Sequence, residues 1–404
     1  MNQPKSPITV LIVDDSPFMR LTLQKILSQD PEIKVLDTAR DGKEGIEKLQ
    51  ALRPQVVTMD IEMPQIDGLQ ALGEIMRWQP TPIIILSALT TEGAQASVKA
   101  LEAGAFDVVA KPSGGPGADI QALARDLIDK VKAAAQVNLG RLGKKGAVSR
   151  VSPASGSRPP WTAGAASENT NRAGTGIYQN PPQGVSSLGS TSSTLGSAKG
   201  RSLDSGEALP KYPVEIVAIG TSTGGPSALQ AVLTQLPGNL PVPVLVAQHM
   251  PPGFTAPLAQ RLNGMSPLTI REGVHGEALK AGTIYFAPAG KQMQVQSRGS
   301  QLILHIGDES PITTLYHPSV DVMFMSLAKE VGKGTLGVVM TGMGNDGLRG
   351  MREIKERGGY AIAEAEETCV VYGMPRAIVD AGLANRVAPL GEIARHIVEC
   401  VQRR

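Results

Sequence analysis

Ile8-Thr9-Val10-Leu11-Ile12-Val13-Asp14-Asp15-Ser16-Pro17 sets an apolar, β-rich run directly against two carboxylates, a serine and a proline. The run carries no charge, so it reads as a strand buried on both faces, the kind that parallel sheets use. Ser16 offers an N-cap and Pro17 a first-turn proline, so a helix is predicted to begin immediately after the carboxylates. Outward from this stretch the same alternation recurs. Ile33–Leu36, Val56–Met59, Ile83–Leu86 and Val108–Ala110 are the next strand candidates, separated by amphipathic helical patterns, and Lys111-Pro112 stops the fifth strand. Five βα units of this kind predict a parallel sheet covered on both faces.

The alternation then breaks. From about Leu139 to Ala208 the chain is rich in Gly, Ser and Pro with neither helical nor alternating apolar periodicity, and it holds much of the excess in the total of 45 Gly and 30 Pro. Such a segment buries too little surface to offset its ordering entropy and reads as a flexible, weakly basic tether. Beyond it, strands are predicted at Val214–Ile219, Val242–Ala247, Thr283–Phe286, Leu302–His305, Leu336–Met340 and Ala361–Ala363, with helices starting near Pro226, Phe254, Val320, Asp346, Pro375 and Gly391. The expected organisation is a first α/β domain over 1–138, a linker over 139–208 and a second, doubly wound α/β domain with a mostly parallel sheet over 209–404.

Composition narrows the function classes. Lys+Arg 39 against Asp+Glu 37 leaves a formal charge of +2, so no global basic field favours nucleic acid or an anionic membrane. Two cysteines, Cys369 and Cys400, lie in no metal-binding or redox spacing, which suits a reducing compartment. The amino terminus has no signal-peptide pattern and no stretch reaches the ~18 apolar residues that span a bilayer, so a soluble cytoplasmic protein is expected.

In the first domain Asp14 and Asp15 end the first predicted strand, Asp60 the third, Ser87 the fourth and Lys111 the fifth. The carboxyl ends of an open parallel sheet converge on one crevice, and carboxylates crowded there call for a hard cation such as Mg²⁺. A cation-backed Asp60 is placed to become an aspartyl phosphate, with Lys111 and the Ser87 hydroxyl meeting the phosphoryl oxygens. Asp14-Asp15, then Asp60-x-x-Met63-Pro64-x-x-Asp67-Gly68, Ser87-Ala88, Phe106 and Lys111-Pro112 resemble a two-component receiver domain over about Ile8 to Lys130. The resemblance implies a flavodoxin-like fold, Mg²⁺ held by Asp15 with Asp14, Asp60 and the Glu62 backbone carbonyl, phosphorylation of Asp60, a switch pair of Ser87 and Phe106 acting with Lys111, and a cis Lys111-Pro112 bond.

In the second domain Val214–Ile219 runs into Gly220-Thr221-Ser222-Thr223-Gly224-Gly225-Pro226. The phosphate-loop patterns with Gly-x-Gly-x-x-Gly or a terminal Gly-Lys-Ser/Thr are absent, whereas Gly-x-Ser-x-Gly fits and exposes a serine hydroxyl. Ser222 could instead cap the next helix. A nucleophilic serine needs a base and the base an orienting acid. Of the five histidines, His305 reads as a strand residue, His396 as a helix residue and His275 as a turn residue. His249 follows the strand one βαβ unit after Ser222, which a right-handed crossover brings to the same sheet edge. Asp346, in Met340-Thr-Gly-Met-Gly-Asn-Asp346-Gly, again follows a strand, with a helix N-cap as its plain alternative.

GTSTGGPSAL, AQHMPPGFT, YFAPAG, HPSVDVMF, MTGMGNDGLRGM and VVYGMPRAI, spread over about Ile216 to Val401, resemble the catalytic domain of the CheB family of chemotaxis methylesterases. The resemblance implies Ser222 as nucleophile, His249 as general base, Asp346 as orienting acid and the Met343 backbone amide in the oxyanion hole. It further implies hydrolysis of γ-glutamyl methyl esters and deamidation of glutamines on methyl-accepting chemoreceptors, phosphorylation by a chemotaxis histidine kinase, no cofactor in the esterase step, no nucleic-acid partner and no membrane insertion. Where the family commonly has histidine shortly after APxG this chain has Gln292, so no substrate contact carries over to that side chain. A transcriptional regulator, the alternative output for a receiver, would need a helix pair with a basic recognition face, and the second domain has none. A non-catalytic receptor-binding scaffold would leave Ser222, His249 and Asp346 without a role.

Overall fold

A computed structural model of the chain describes residues 6–112, 118–137 and 209–402. The predicted linker over 139–208 lies outside the described residues, as do the outer limits of the domain ranges. The first lobe comprises β1 (Ile8–Val13), α1 (Pro17–Leu27), β2 (Ile33–Ala39), α2 (Gly42–Leu52), β3 (Val56–Asp60), α3 (Gly68–Trp78), β4 (Ile83–Ser87), α4 (Thr91–Ala103), β5 (Asp107–Ala110) and α5 (Ala118–Ala134). Its strands pair in the order β2-β1-β3-β4-β5, every pairing parallel. This doubly wound order puts the topological switch between β1 and β3, where ligands bind beyond the carboxyl ends of the strands. The helices start where side-chain acceptors stand: Ser16, Asp41, Asp67 and Thr90 each bond the amide three residues on. Residues of β3 and β4 are all buried because apolar helices cover both faces.

The second lobe runs β6 (Ile216–Thr221), α6 (Gly225–Leu233), β7 (Val244–Gln248), α7 (Thr255–Asn263), β8 (Thr269–Glu272), β9 (Thr283–Phe286), β10 (Gln292–Arg298), β11 (Gln301–Gly307), α8 (Val320–Glu330), β12 (Thr335–Val339), α9 (Leu348–Glu356), β13 (Tyr360–Glu364), α10 (Met374–Asp380), β14 (Arg386–Ala388) and α11 (Leu390–Gln402). Its main sheet has the order β14-β13-β12-β6-β7-β9-β8, again parallel throughout, and β10 and β11 form a separate antiparallel hairpin. Two of its strands begin later than predicted. β6 begins at Ile216, and Pro243 has no amide to give a ladder, so β7 starts downstream of it.

The two lobes meet along α4, which packs against α6 and α7, with Glu102 and Arg261 forming an ion pair across the contact. Nearby, the Thr223 hydroxyl donates to Asp107 Oδ2 at 2.6 Å. Among the described residues no helix is long and apolar enough to cross a membrane.

Candidate functional site

The centre of the second-lobe sheet brings the predicted residues together. β6 and β7 pair in register through Thr221 and Gln248, so Ser222 and His249 leave neighbouring strands at the same edge. The His249 amide bonds Thr221 O at 3.1 Å, and the Gln248 side-chain amide donates to both the Ser222 and His249 carbonyls at 2.9 Å. On the other side of β6, the Ser222 amide donates to Thr341 O at 3.0 Å. Gly224 adopts φ 78°, a left-handed turn that glycine takes without strain, and it is the N-cap of α6 without any side-chain capping bond. The Ser222 hydroxyl therefore does not serve as a helix cap. Gly342 allows the next loop to close in: a β-carbon there would fall 2.8 Å from the Ser222 β-carbon, and this contact places the Met343 turn against the serine.

Asp346 is not a cap either, because Gly347 is the N-cap of α9. Its carboxylate is buried and collects four donors: His249 Nε2 at 2.8 Å, the Val320 amide at 2.7 Å, the Ser319 hydroxyl at 2.9 Å and the Asp321 amide at 3.0 Å. Two of these donors belong to the first turn of α8, whose dipole favours an anion. Burial works to raise the Asp346 pKa, but the His249 contact and the two amides outweigh it and hold the carboxyl below its ordinary value. The neighbouring Asp321 goes the other way, pushed up to about 6 chiefly by burial, with the Asp346 charge adding to it. An ionised Asp346 requires a donor from His249, so the Nε2–H tautomer follows and the lone pair sits on Nδ1. His249 Nδ1 is buried and takes no hydrogen bond among the described residues. The imidazole is stacked on Tyr316, with ring centroids 4.2 Å apart and planes within 6°.

Of the remaining histidines, His305 lies in β11, His396 in α11 and His275 in a turn where its Nδ1 meets the Ile306 backbone, while His317 lies on the loop between β11 and α8, where its carbonyl accepts the Gly290 amide at 2.8 Å. Sequence reasoning missed Glu364. This residue ends β13, is fully buried, and accepts the Thr341 amide at 2.8 Å and the Thr368 hydroxyl at 2.9 Å. It thereby fixes Thr341, whose carbonyl holds both the Ser222 amide and, at 2.8 Å, the Thr221 hydroxyl. A glutamate at a strand end gave no signal, because its importance comes from the adjacent strand.

Burial pushes Glu364 up to about 7 from an ordinary 4.5, despite hydrogen bonds that favour the anion. The folded chain thus binds this proton more tightly than the unfolded chain. Stability falls as pH rises from about 4.5 to about 7, and the loss is complete above that window. Glu364→Gln keeps an acceptor for Thr341 and has no charge to bury. Its stability relative to the wild type is expected to rise by on the order of 3 kcal/mol between pH 5 and 8. Urea denaturation of both proteins across that range checks this, and a pH-independent difference would contradict it.

In the first lobe Asp14, Asp15 and Asp60 each offer a carboxylate oxygen, and these atoms lie within 4.8 Å of one another. Lys111 Nζ stands 2.7 Å from Asp60 Oδ2 and 2.9 Å from Asp14 Oδ2. Asp14 Oδ2 is nevertheless buried without a properly directed hydrogen bond, so the lysine offsets its charge without satisfying its lone pairs. Three clustered carboxylates with an under-coordinated buried oxygen fit a hard, oxygen-seeking cation. Burial raises the Asp60 pKa, with the Asp14 charge adding to the rise, while Lys111 and a bond from the Glu62 backbone oppose it. Lys111 loses some basicity to burial, but its ion pairs with Asp60 and Asp14 more than restore it and leave the ammonium firmly charged. The Ser87 hydroxyl is turned to Gly93 O at 3.0 Å, and Phe106 is buried in the core cluster against which Val370 and Val371 of the second lobe pack. One expectation fails. The Lys111-Pro112 bond is trans, the intrinsically favoured isomer, and the cis X-Pro bond among the described residues is His317-Pro318.

Two family models match the chain: CheB methylesterase over residues 217–397 and the response regulator receiver domain over residues 10–121. The chain is 96% identical over 404 residues to a protein-glutamate methylesterase/protein-glutamine glutaminase of Desulfitobacterium hafniense, covering 100% of both chains. The protein of the same name from Moorella thermoacetica is 45% identical, with 98% of each chain covered. A solved CheB methylesterase catalytic domain from Thermotoga maritima is 39% identical and covers 46% of this chain and 99% of its own, with a TM-score of 0.45. The lobes, the two family models and the full-length relatives define a response regulator whose output lobe is an α/β esterase. The chain belongs to the CheB methylesterase family.

Proposed function

We propose that the protein hydrolyses γ-glutamyl methyl esters on the cytoplasmic helices of methyl-accepting chemoreceptors, releasing methanol, and deamidates selected receptor glutamines, both through Ser222, His249 and Asp346. The observation that carries this reading is the imidazole fastened to Asp346 through Nε2 while its buried Nδ1 keeps an unshared lone pair, with Ser222 leaving the neighbouring strand at the same sheet edge. His249 Nδ1 takes the Ser222 proton as the hydroxyl oxygen attacks the side-chain carbonyl. Backbone amides of the Met343 turn receive the oxyanion, and the protonated imidazole returns its proton to methanol or ammonia as the bond breaks. Water then attacks the acyl-serine with the same imidazole as base, restoring the serine. Asp346 stays ionised throughout and stabilises the imidazolium.

The first lobe is the control element in this reading. Asp60 accepts a phosphoryl group from a chemotaxis histidine kinase, Lys111 pairs with the new oxygens, and the Ser87 hydroxyl turns from Gly93 toward them. Mg²⁺, held by Asp14, Asp15, Asp60 and the Glu62 carbonyl, would neutralise phosphoryl charge there. The bond between Thr223, next to the nucleophile, and Asp107, next to Phe106, supports a receiver that restrains the esterase until phosphate shifts the balance. The domains would span 1–138 and 209–404 with a tether over 139–208, and the protein would act in the cytoplasm. The test is methanol release from methylated receptor membranes by the full-length protein. Release above a buffer control is expected, and none with or without a phosphodonor would contradict the reading.

A further inference from the structure

His249 poses a problem that the triad alone does not solve. Its Nε2 is tied to Asp346, but Nδ1 takes no hydrogen bond among the described residues, so no second hydrogen bond stops the ring from swinging about the first. A contact with the ring face is the remaining way to fix it. The structure supplies that contact in Tyr316, whose ring is stacked parallel on the imidazole with centroids 4.2 Å apart. Tyr316 is itself 37% exposed and follows Leu315, which is 82% exposed, so burial in a core does not hold it in place. Besides a bond from the Gly290 amide to His317 O at 2.8 Å, what holds it is Gln292. This amide is fully buried at the start of β10 and uses both ends on the same loop: Nε2 donates to Tyr316 O at 2.7 Å, and Oε1 accepts the Ser319 amide at 2.8 Å. Ser319 in turn donates its hydroxyl to Asp346. One side chain therefore brackets the segment that touches the base at one end and the acid at the other.

We propose that Gln292 and Tyr316 are positioning residues for the catalytic imidazole, Gln292 pinning residues 316–319 so that the Tyr316 ring lies flat on His249 and Ser319 stays on Asp346. The role rests on His249 acting as the base of the esterase. It assigns Gln292 a function behind the site, with no contact to substrate, since both polar ends of its side chain are already engaged. It also makes the aromatic ring, rather than the phenol hydroxyl, the working part of Tyr316.

The experiment compares full-length wild type with Gln292→Leu, Tyr316→Ala and Tyr316→Phe. Two readouts are used: kcat and KM for methanol release from methylated receptor membranes, and the NMR shifts of the His249 ring protons, assigned with His249→Gln. Gln292→Leu and Tyr316→Ala are expected to lower kcat about 10- to 100-fold with KM nearly unchanged, as a misplaced catalytic group does. Both should lose the upfield ring-current shift on His249. Tyr316→Phe should keep that shift and wild-type kcat within about 2-fold. Wild-type kcat and an intact ring-current shift in a folded Gln292→Leu would overturn the proposal, as would a Tyr316→Phe as damaged as Tyr316→Ala. Tyr316→Ala removes a half-exposed ring and keeps the test alive if Gln292→Leu fails to fold. If methanol release proves independent of Ser222, the esterase reading falls while the NMR shifts still decide the clamp.

Discussion

Asp346→Asn is expected to lower kcat for methyl-ester hydrolysis about 10⁴-fold with little change in KM. All four partners of the carboxylate are donors: the His249 Nε2–H, the Val320 and Asp321 amides and the Ser319 hydroxyl. An asparagine brings an N–H₂ group into this ring of donors, and whichever way it turns, one end opposes them. The least costly relief is for His249 to switch tautomer, with Nε2 accepting from the amide and the proton moving to Nδ1. That move removes the lone pair which Ser222 needs. The loss also includes the ionic stabilisation of the imidazolium, because the pKa of Asp346 is held low by those same donors. Steady-state kinetics on the purified variant check the size of the effect. A fall of less than about 10-fold would mean that His249 does not depend on Asp346 for its tautomer.

The second large effect concerns control. Asp60→Ala is expected to abolish the response to a phosphodonor, so that the ratio of rates with and without acetyl phosphate falls to one. Asp60 is the carboxylate at the end of β3, and Lys111 reaches it at 2.7 Å. The neighbouring Asp14 and Asp15 lie within the same cluster, but Asp14 already bonds the Ser16 amide at 3.0 Å and Asp15 is exposed at its rim. Stimulation that survives in Asp60→Ala would move the acceptor to one of these neighbours and contradict the assignment.

Much of this arrangement was legible in the chain because the decisive residues sit at strand ends. Near-continuous apolar runs such as Val10–Val13 and Ile83–Leu86 can only be buried on both faces, and that condition implies a parallel sheet whose carboxyl ends converge. Asp14, Asp60, Ser222, His249 and Asp346 could therefore be placed at sheet rims before any geometry was known. Strand β10 was hidden for the opposite reason. Gln292-Met-Gln-Val-Gln-Ser-Arg298 alternates polar and apolar residues in a two-stranded hairpin outside the main sheet, and its single partner β11 was the more apolar half. Thr269–Glu272 and Arg386–Ala388 are too short to carry a pattern. The residues that support the site were hidden more deeply. Glu364 acts on Ser222 through the Thr341 backbone, and Gln292 acts on His249 through the loop bearing Tyr316. Links of this kind join residues that only the folded chain makes neighbours. The cap readings of Ser222 and Asp346 were likewise open until Gly224 and Gly347 were seen at the helix starts.

The central claim is that the Ser222 hydroxyl is the attacking group at this sheet edge. Methanol released from methylated receptor membranes, measured side by side for the phosphodonor-treated full-length protein and for Ser222→Ala, tests it most directly. Release by the wild type that falls to the buffer rate in the variant is the expected result, and equal release by both would contradict it.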